Sequence, residues 1–227
     1  MAPTELRNEI AAGDGREGRF DFRSKYEDAS RISRALVHGY FEGVRRLFAQ
    51  IPVGQAKTAL EVGCGEGYST ERLSGILGPG VLLQASELLG EQLEAARQRN
   101  PDLRIVQEDV NELQREDNSF DLIIMLQVLE HLSSPERALA ELSRVSRRHI
   151  IVGVPREPLW RVLNVVRLKY LRSLGNTPGH VHHWSVRGFC EFVERSFGPV
   201  VAVETPIPWT LVLAERRDVA KMSGGSA

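Results

Sequence analysis

Three alternating glycines give the first indication of chemistry in this chain: Gly63, Gly65 and Gly67 follow an apolar run at every second position. Glycine is needed where a backbone turns sharply or lies against a ligand, because it has no Cβ atom. The G-x-G-x-x-G fingerprint of dinucleotide sites would require a third glycine at the position of Tyr68. The spacing therefore predicts a loop that approaches a ligand, and it argues against a bound pyrophosphate.

Two acidic residues accompany this loop at the ends of the next predicted strands. Glu87 lies 20 residues after Gly67, where a carboxylate is expected to accept both hydroxyls of a ribose. Asp109 ends the third predicted strand and can accept a hydrogen bond from an exocyclic amine. Together these positions predict a nucleoside site. The alternative is an ordinary turn between strand and helix, with both acids at solvated helix starts.

The elements that must position these residues alternate between apolar runs of strand length and amphipathic stretches of helix length. That alternation predicts an α/β fold, a mainly parallel sheet covered by helices on both faces. The last two strands are close in sequence and are expected to be antiparallel neighbours. Strands are predicted at 58–62, 81–86, 103–107, 120–126, 149–154, 200–204 and 210–214, and helices at 24–49, 68–77, 87–99, after Pro135, and at 185–196.

Composition limits the classes of protein that remain. The chain has 227 residues and a net charge of −1, which predicts one domain over 1–227 and gives no basic field for nucleic acid. Two cysteines cannot build a disulfide framework, and the first residues lack a secretory pattern, so a cytoplasmic location is expected. No aliphatic run approaches the ~20 residues that span a bilayer. Residues 1–19 and 218–227 are expected to be flexible.

Taken together, these motifs resemble the class I S-adenosylmethionine-dependent methyltransferases, in particular the small-molecule, quinone-biosynthesis-like enzymes. The resemblance covers residues 58–155, nearly the whole predicted sheet. It implies a Rossmann-like, seven-stranded, mostly parallel sheet with an antiparallel last strand. The matching stretches are the glycine loop with Glu61 before it, Glu87 with residues 93–97, residues 108–110, and residues 119–121 leading into 127–132.

The same resemblance implies a role for each cofactor-binding candidate. Glu61 would orient the loop and help to hold the methionine amine, and Glu87, where the family usually has Asp, would hold the ribose. Asp109 would bind the adenine amino group, and Gln127 would line the methionine end. The remaining candidates, which would pack against S-adenosylmethionine, are Gly63, Cys64, Gly65, Gly67, Leu88 and Val110.

Histidines are the candidate catalytic bases. His131 follows the fourth strand, and His180 and His183 belong to a cluster with His182 before the last helix. An imidazole can remove a proton from a methyl acceptor, although a structural role for each histidine is the alternative. Some magnesium-dependent methyltransferases carry Glu-x-x-Glu-His here, but Gln127 replaces the first carboxylate. Bound magnesium is therefore possible but not favoured, zinc lacks supporting cysteines, and no metal ligands are assigned.

Two long segments, 20–48 and 156–184, are not needed for the sheet and are expected to form a lid over the acceptor. They contain Tyr26, Tyr40, Trp160, Tyr170 and Trp184. An ordinary amphipathic helix and a peripheral membrane contact are the alternatives for 156–174. The expected reaction is methylation of a small-molecule or lipid-like acceptor, with oxygen as the expected acceptor atom and nitrogen or carbon as the alternatives. RNA methylation and a catalytically silent cofactor-binding subunit are the alternatives, and the oligomeric state is open.

Overall fold

A single seven-stranded sheet organises the computed structural model, which describes residues 31–166 and 181–217. The strands lie in the order β3-β2-β1-β4-β5-β7-β6. Neighbours from β3 to β5 are parallel, whereas β7 is antiparallel to both β5 and β6. The strands are β1 Thr58–Val62, β2 Leu82–Glu87, β3 Arg104–Gln107, β4 Phe120–Leu126, β5 Ser146–Pro155, β6 Val200–Glu204 and β7 Trp209–Glu215.

Helices cover both faces of this sheet. The α-helices are α1 Arg31–Phe48, α2 Tyr68–Leu77, α3 Gly90–Arg99, α4 Pro135–Val145, α5 Leu159–Val166 and α6 Val186–Ser196, with a 3-10 turn at Leu129–His131. No helix in the described ranges is both long and apolar enough to cross a bilayer. The predicted Rossmann-like fold with an antiparallel last strand is confirmed.

Strand β4 lies at the centre of the core and is buried on both faces. Ile123 and Met125 pack in the cluster that includes α4 and α6. Leu122 and Ile124 point the other way, into the cluster that includes α1 and α2. An apolar run without polar alternation is the pattern expected of such a doubly covered strand.

One predicted helix begins later than expected. The sequence pattern predicts it from Glu87, but α3 begins at Gly90 because Glu87 belongs to β2. The carboxylate of Glu87 accepts the backbone N–H groups of Leu88 and Leu89, at 2.9 and 3.0 Å, so these residues form a tight turn instead of helix.

The carboxyl ends of the parallel strands meet at one edge of the sheet, which is where open α/β folds bind ligands. Because β7 is antiparallel, its first residue, Trp209, joins this edge and pairs with Pro155 at the end of β5. We call this the carboxyl edge. Residues from β1, β2, β4, β5 and β7 therefore converge there.

Candidate functional site

The glycine loop is fixed to the neighbouring strand by its own backbone. The N–H groups of Gly63 and Cys64 both donate to the carbonyl oxygen of Ser86 in β2, at 2.8 and 3.0 Å. The Gly67 N–H donates to the Cys64 carbonyl at 3.0 Å, which closes the loop before α2 begins. The loop is thus a rigid turn at the carboxyl edge.

The three loop glycines have different surroundings. A Cβ atom on Gly63 would lie 2.6 Å from a methyl group of Val128, and one on Gly67 would lie 2.9 Å from the Cα of Ala96. A Cβ on Gly65 would have no heavy atom closer than 3.8 Å. Gly63 and Gly67 therefore permit close packing within the protein, and Gly65 is the position at which a ligand could approach the backbone.

Glu87 joins the end of β2 to this loop. Its Oε2 accepts the Gly65 N–H at 2.8 Å, while its Oε1 accepts two N–H groups from the turn before α3. The side chain is buried, with 7% of its residue surface exposed. A carboxylate offers roughly four acceptor positions, so a ligand hydroxyl would share this group with the backbone.

Glu61 lies beneath the loop and is almost fully buried. Thr70 donates its hydroxyl to Glu61 Oε2 at 2.6 Å. Burial, with a smaller contribution from the nearby Glu87 carboxylate, raises the pKa of Glu61 to about 7 despite the lowering effect of hydrogen bonds from Ser69 and Thr70. Burial also raises the pKa of the Cys64 thiol far above its usual range. Cys64 is therefore a protonated, unreactive loop residue.

Asp109 is the second predicted nucleoside ligand, and it begins the loop after β3. Its Oδ1 accepts the backbone N–H of Asn111 at 2.8 Å and the Asn111 side-chain amide at 3.0 Å. Val110 beside it is buried. Leu88 accepts a hydrogen bond at its carbonyl from Gln107, which connects the ends of β2 and β3.

A charged network that sequence reasoning missed holds the far side of the Asp109 loop. Arg144 of α4 donates to the carbonyl oxygens of Leu113 and Arg115, at 2.9 and 2.7 Å, and forms ion pairs with Glu141 and Asp117. The Arg144 hydrogen bond lowers the pKa of Glu141. Nothing in the sequence distinguishes Arg144 from other exposed helix arginines.

Gln127 follows β4 with the positive φ of 60°, a conformation that few residues other than glycine adopt. Its N–H donates to the Gly153 carbonyl at 2.8 Å, and its Oε1 accepts the indole N–H of Trp209 at 2.9 Å. Because an indole can only donate, this bond fixes the orientation of the amide. Within the described ranges, the buried Nε2 has no hydrogen-bond partner, which leaves a donor for a ligand.

Two aromatic rings pack against Trp209, the hydrogen-bond partner of Gln127. The ring centre of Trp209 lies 4.9 Å from that of Tyr40 in α1 and 6.1 Å from that of Trp160 in α5. The predicted lid segments thus both contribute a ring at the carboxyl edge, which we call the aromatic cluster. Tyr26 and Tyr170 lie outside the described residues.

Residues 181–184 cross the carboxyl edge, and we call them the crossing segment. The N–H groups of Val181 and His182 donate to the Glu130 carbonyl after β4, at 2.9 and 3.3 Å. The Trp184 carbonyl accepts the N–H of Glu157, after β5, at 3.0 Å. The segment therefore bridges the ends of β4 and β5.

The predicted pocket aromatic of the crossing segment packs elsewhere. Trp184 lies 5.6 and 5.5 Å, between ring centres, from Phe189 and Phe192 of α6. His182 stacks on Trp184 at 5.3 Å. These contacts assign Trp184 and His182 to the packing of α6 against the sheet.

The candidate bases occupy different places. His183 Nδ1 lies 3.5 Å from Glu157 Oε1, and its side chain remains 32% exposed. His131 ends the short turn that follows β4. His180 lies outside the described residues. In the ranges 31–166 and 181–217, no three His, Cys, Asp or Glu side chains are grouped to hold a metal ion.

Comparisons with known proteins agree with this architecture. Residues 60–151 match a family described as a methyltransferase domain. A relative from Mycobacterium tuberculosis, described as a probable S-adenosylmethionine-dependent methyltransferase, is 32% identical over 92 residues, which cover 40% of this chain and 32% of the relative. The chain thus spans about a third of the length of the curated relatives it matches.

Solved structures share the fold at lower identity. Magnesium protoporphyrin IX methyltransferase from Synechocystis, solved with bound S-adenosylhomocysteine, has a TM-score of 0.65 and 16% identity, with 94% of this chain and 99% of that chain covered. An Aquifex aeolicus methyltransferase has a TM-score of 0.64 and 21% identity, covering 86% and 98%. These likenesses show the fold alone.

The family match over residues 60–151, the curated relatives and the seven-stranded sheet together support a class I S-adenosylmethionine-dependent methyltransferase domain. The residues present also fit this cofactor. Gly65 leaves its backbone accessible, Glu87 offers a carboxylate beside it, and Gln127 presents a buried donor without a partner.

Proposed function

We propose that the protein transfers a methyl group from S-adenosylmethionine to a hydroxyl oxygen of a small-molecule or lipid-like acceptor. The aromatic cluster carries this proposal, because its central ring, Trp209, is hydrogen-bonded to Gln127 at the edge where the cofactor would bind, and the partly exposed Trp160 lies next to it. Such rings provide an apolar wall for a compact, partly apolar acceptor. The net charge of −1 gives no overall basic field that would attract RNA.

On the cofactor side, each predicted ligand has a proposed task. Glu87 would accept a ribose hydroxyl, Asp109 would accept from the adenine amino group, and Glu61 would support the methionine amine. Gln127, which by its fixed amide orientation offers only a donor, would meet the methionine carboxylate. When bound, S-adenosylmethionine supplies an electrophilic methyl group and a neutral thioether leaving group.

On the acceptor side, the described parts of 20–48 and 156–184 would form the wall that aligns the oxygen and excludes water. One histidine among His131, His180 and His183 would take the hydroxyl proton. Of these, His183 has a carboxylate within 3.5 Å, which favours it.

The test is transfer of a labelled methyl group from S-adenosylmethionine into cell extract separated into metabolite, lipid and RNA fractions. We expect label in the metabolite or lipid fraction, and none with Gly65→Val, whose side chain would occupy the open loop surface. Label confined to RNA would contradict the proposed acceptor class. No label in any fraction, with S-adenosylhomocysteine binding intact, would indicate a silent cofactor-binding subunit.

A further inference from the structure

His183 and Glu157 form a pair that joins the crossing segment to the residues after β5. Glu157 is the second residue after β5, and its side chain is 10% exposed. Its Oε1 is buried and forms no hydrogen bond within the described residues, and His183 Nδ1 lies 3.5 Å from it. An acidic oxygen buried at this depth requires a nearby positive or donor group.

Both members of the pair are held by backbone contacts rather than by chance surface geometry. The Glu157 N–H donates to the Trp184 carbonyl at 3.0 Å, so the residue after His183 is tied to Glu157 itself. The other carboxylate oxygen, Oε2, lies 3.4 Å from the backbone N–H of Arg161 in α5. These contacts leave Oε1 as the oxygen that faces the imidazole.

We propose that Glu157 is a positioning residue that fixes His183 in the tautomer with its proton on Nδ1. A neutral imidazole has one donor and one acceptor nitrogen, and the partner of one nitrogen decides the state of the other. With Nδ1–H directed at Glu157, Nε2 keeps its lone pair. The His183 side chain is one-third exposed, so its ring is not closed off from solvent or from a ligand.

This inference rests on the proposed function and gives it a base. His183 Nε2 takes the proton of the acceptor hydroxyl as the oxygen forms its bond to the methyl carbon. The carbon–sulfur bond breaks with its electron pair left on sulfur, which yields S-adenosylhomocysteine. The Glu157 carboxylate stabilises the His183 imidazolium until the imidazolium releases its proton to solvent.

The alternative is that Glu157 only ties the crossing segment to β5. Its backbone N–H already forms that connection, and a side-chain substitution leaves the backbone bond in place. A structural role for the carboxylate therefore predicts no dependence of the His183 tautomer on the side chain at position 157.

The test is the tautomeric state of His183, read from the ring-nitrogen chemical shifts of the 15N-labelled full chain at a pH where the imidazole is neutral. The His183→Gln variant assigns the signals. We expect the Nδ1–H form in the wild type and in Glu157→Gln, whose amide oxygen still accepts, and mainly the Nε2–H form in Glu157→Met. Glu191→Met, at an exposed position of α6, is the matched control and should leave the signals unchanged.

A wild-type His183 in the Nε2–H form, or a tautomer unaffected by Glu157→Met, overturns the inference even if labelled methyl transfer occurs. If Glu157→Met does not fold, Glu157→Ala takes its place, and a wild-type His183 in the Nε2–H form overturns the inference by itself. Failure of the proposed function is separate, because it appears as absence of transfer whatever the tautomer. Where transfer is measured, Glu157→Met should lower kcat by roughly 10²-fold with unchanged S-adenosylhomocysteine affinity.

Discussion

Replacing Gly67 by alanine tests whether the glycine loop is packed as tightly as its geometry indicates. Gly67 has a φ of 81°, and a Cβ there would lie 2.9 Å from the backbone Cα of Ala96. Gly54, in the turn before β1, has the same φ of 81°, but a Cβ there would have no heavy atom within 4 Å. The two glycines thus share the conformational cost and differ in packing.

The difference between the two variants isolates the packing cost. A left-handed alanine costs about 1–2 kcal/mol of folding free energy at either position. Forcing a methyl group against the α3 backbone adds about 1–3 kcal/mol, the usual cost of overpacking. Gly54→Ala should therefore lose about 1–2 kcal/mol and Gly67→Ala about 2–5 kcal/mol. Both variants replace glycine with alanine, so any effect on the free energy of the unfolded chain is the same in each and cancels in the difference between them.

Urea unfolding followed by circular dichroism measures both losses, provided the dependence on urea concentration is the same in each variant. Calorimetric titration with S-adenosylhomocysteine adds a second readout. Gly67→Ala should weaken binding because α3 and the loop must move apart, while Gly54→Ala should bind as the wild type does. Equal losses of stability in the two variants would refute the packing argument.

Three further substitutions test the site by ligand titration and stability. The pKa of Glu61 is about 7, and the ammonium group of bound S-adenosylhomocysteine would lower it, so binding should release a proton. The affinity should therefore increase as the pH rises towards 7, and Glu61→Gln should abolish this pH dependence. In the unliganded protein the same raised pKa should make stability fall as the pH rises from 4.5 towards 7, since the folded state then holds more protons than the unfolded state. Trp209→Phe keeps a ring but removes the donor to Gln127, so affinity should fall by about 1 kcal/mol, and unchanged affinity would show that the amide needs no anchor. Glu87→Ala should weaken binding by about 1–3 kcal/mol and lower the Tm, whereas Glu94→Ala on the exposed side of α3 should do neither.

Much of the sheet could be predicted from sequence because its strands are short apolar runs bounded by turn residues. Strand β4 is recognisable by its unbroken apolar run after Asp121, which follows from burial on both faces. The start of α3 could not be placed, because it depends on how the Glu87 carboxylate folds back onto the turn. That is a side-chain conformation, to which hydrophobic periodicity is insensitive.

The residues of the candidate site likewise include some that the sequence could identify and some that it could not. Glu87 and Asp109 could be found because a carboxylate at the end of a parallel strand is a local signal. Glu157 follows β5 and satisfies the same rule, so the signal existed and was missed. The bond between Trp209 and Gln127 joins residues 82 positions apart, and only the antiparallel placement of β7 brings them together.

The most direct test of the central claim is calorimetric titration of the purified full chain with S-adenosylhomocysteine and, separately, with NADH. Both ligands contain an adenosine, but only NADH has the pyrophosphate that the glycine loop, with Tyr68 in place of a third glycine, is not built to hold. The account predicts one-to-one binding of S-adenosylhomocysteine and no heat from NADH. Absence of S-adenosylhomocysteine binding, or tighter binding of NADH, would contradict the assignment of the site.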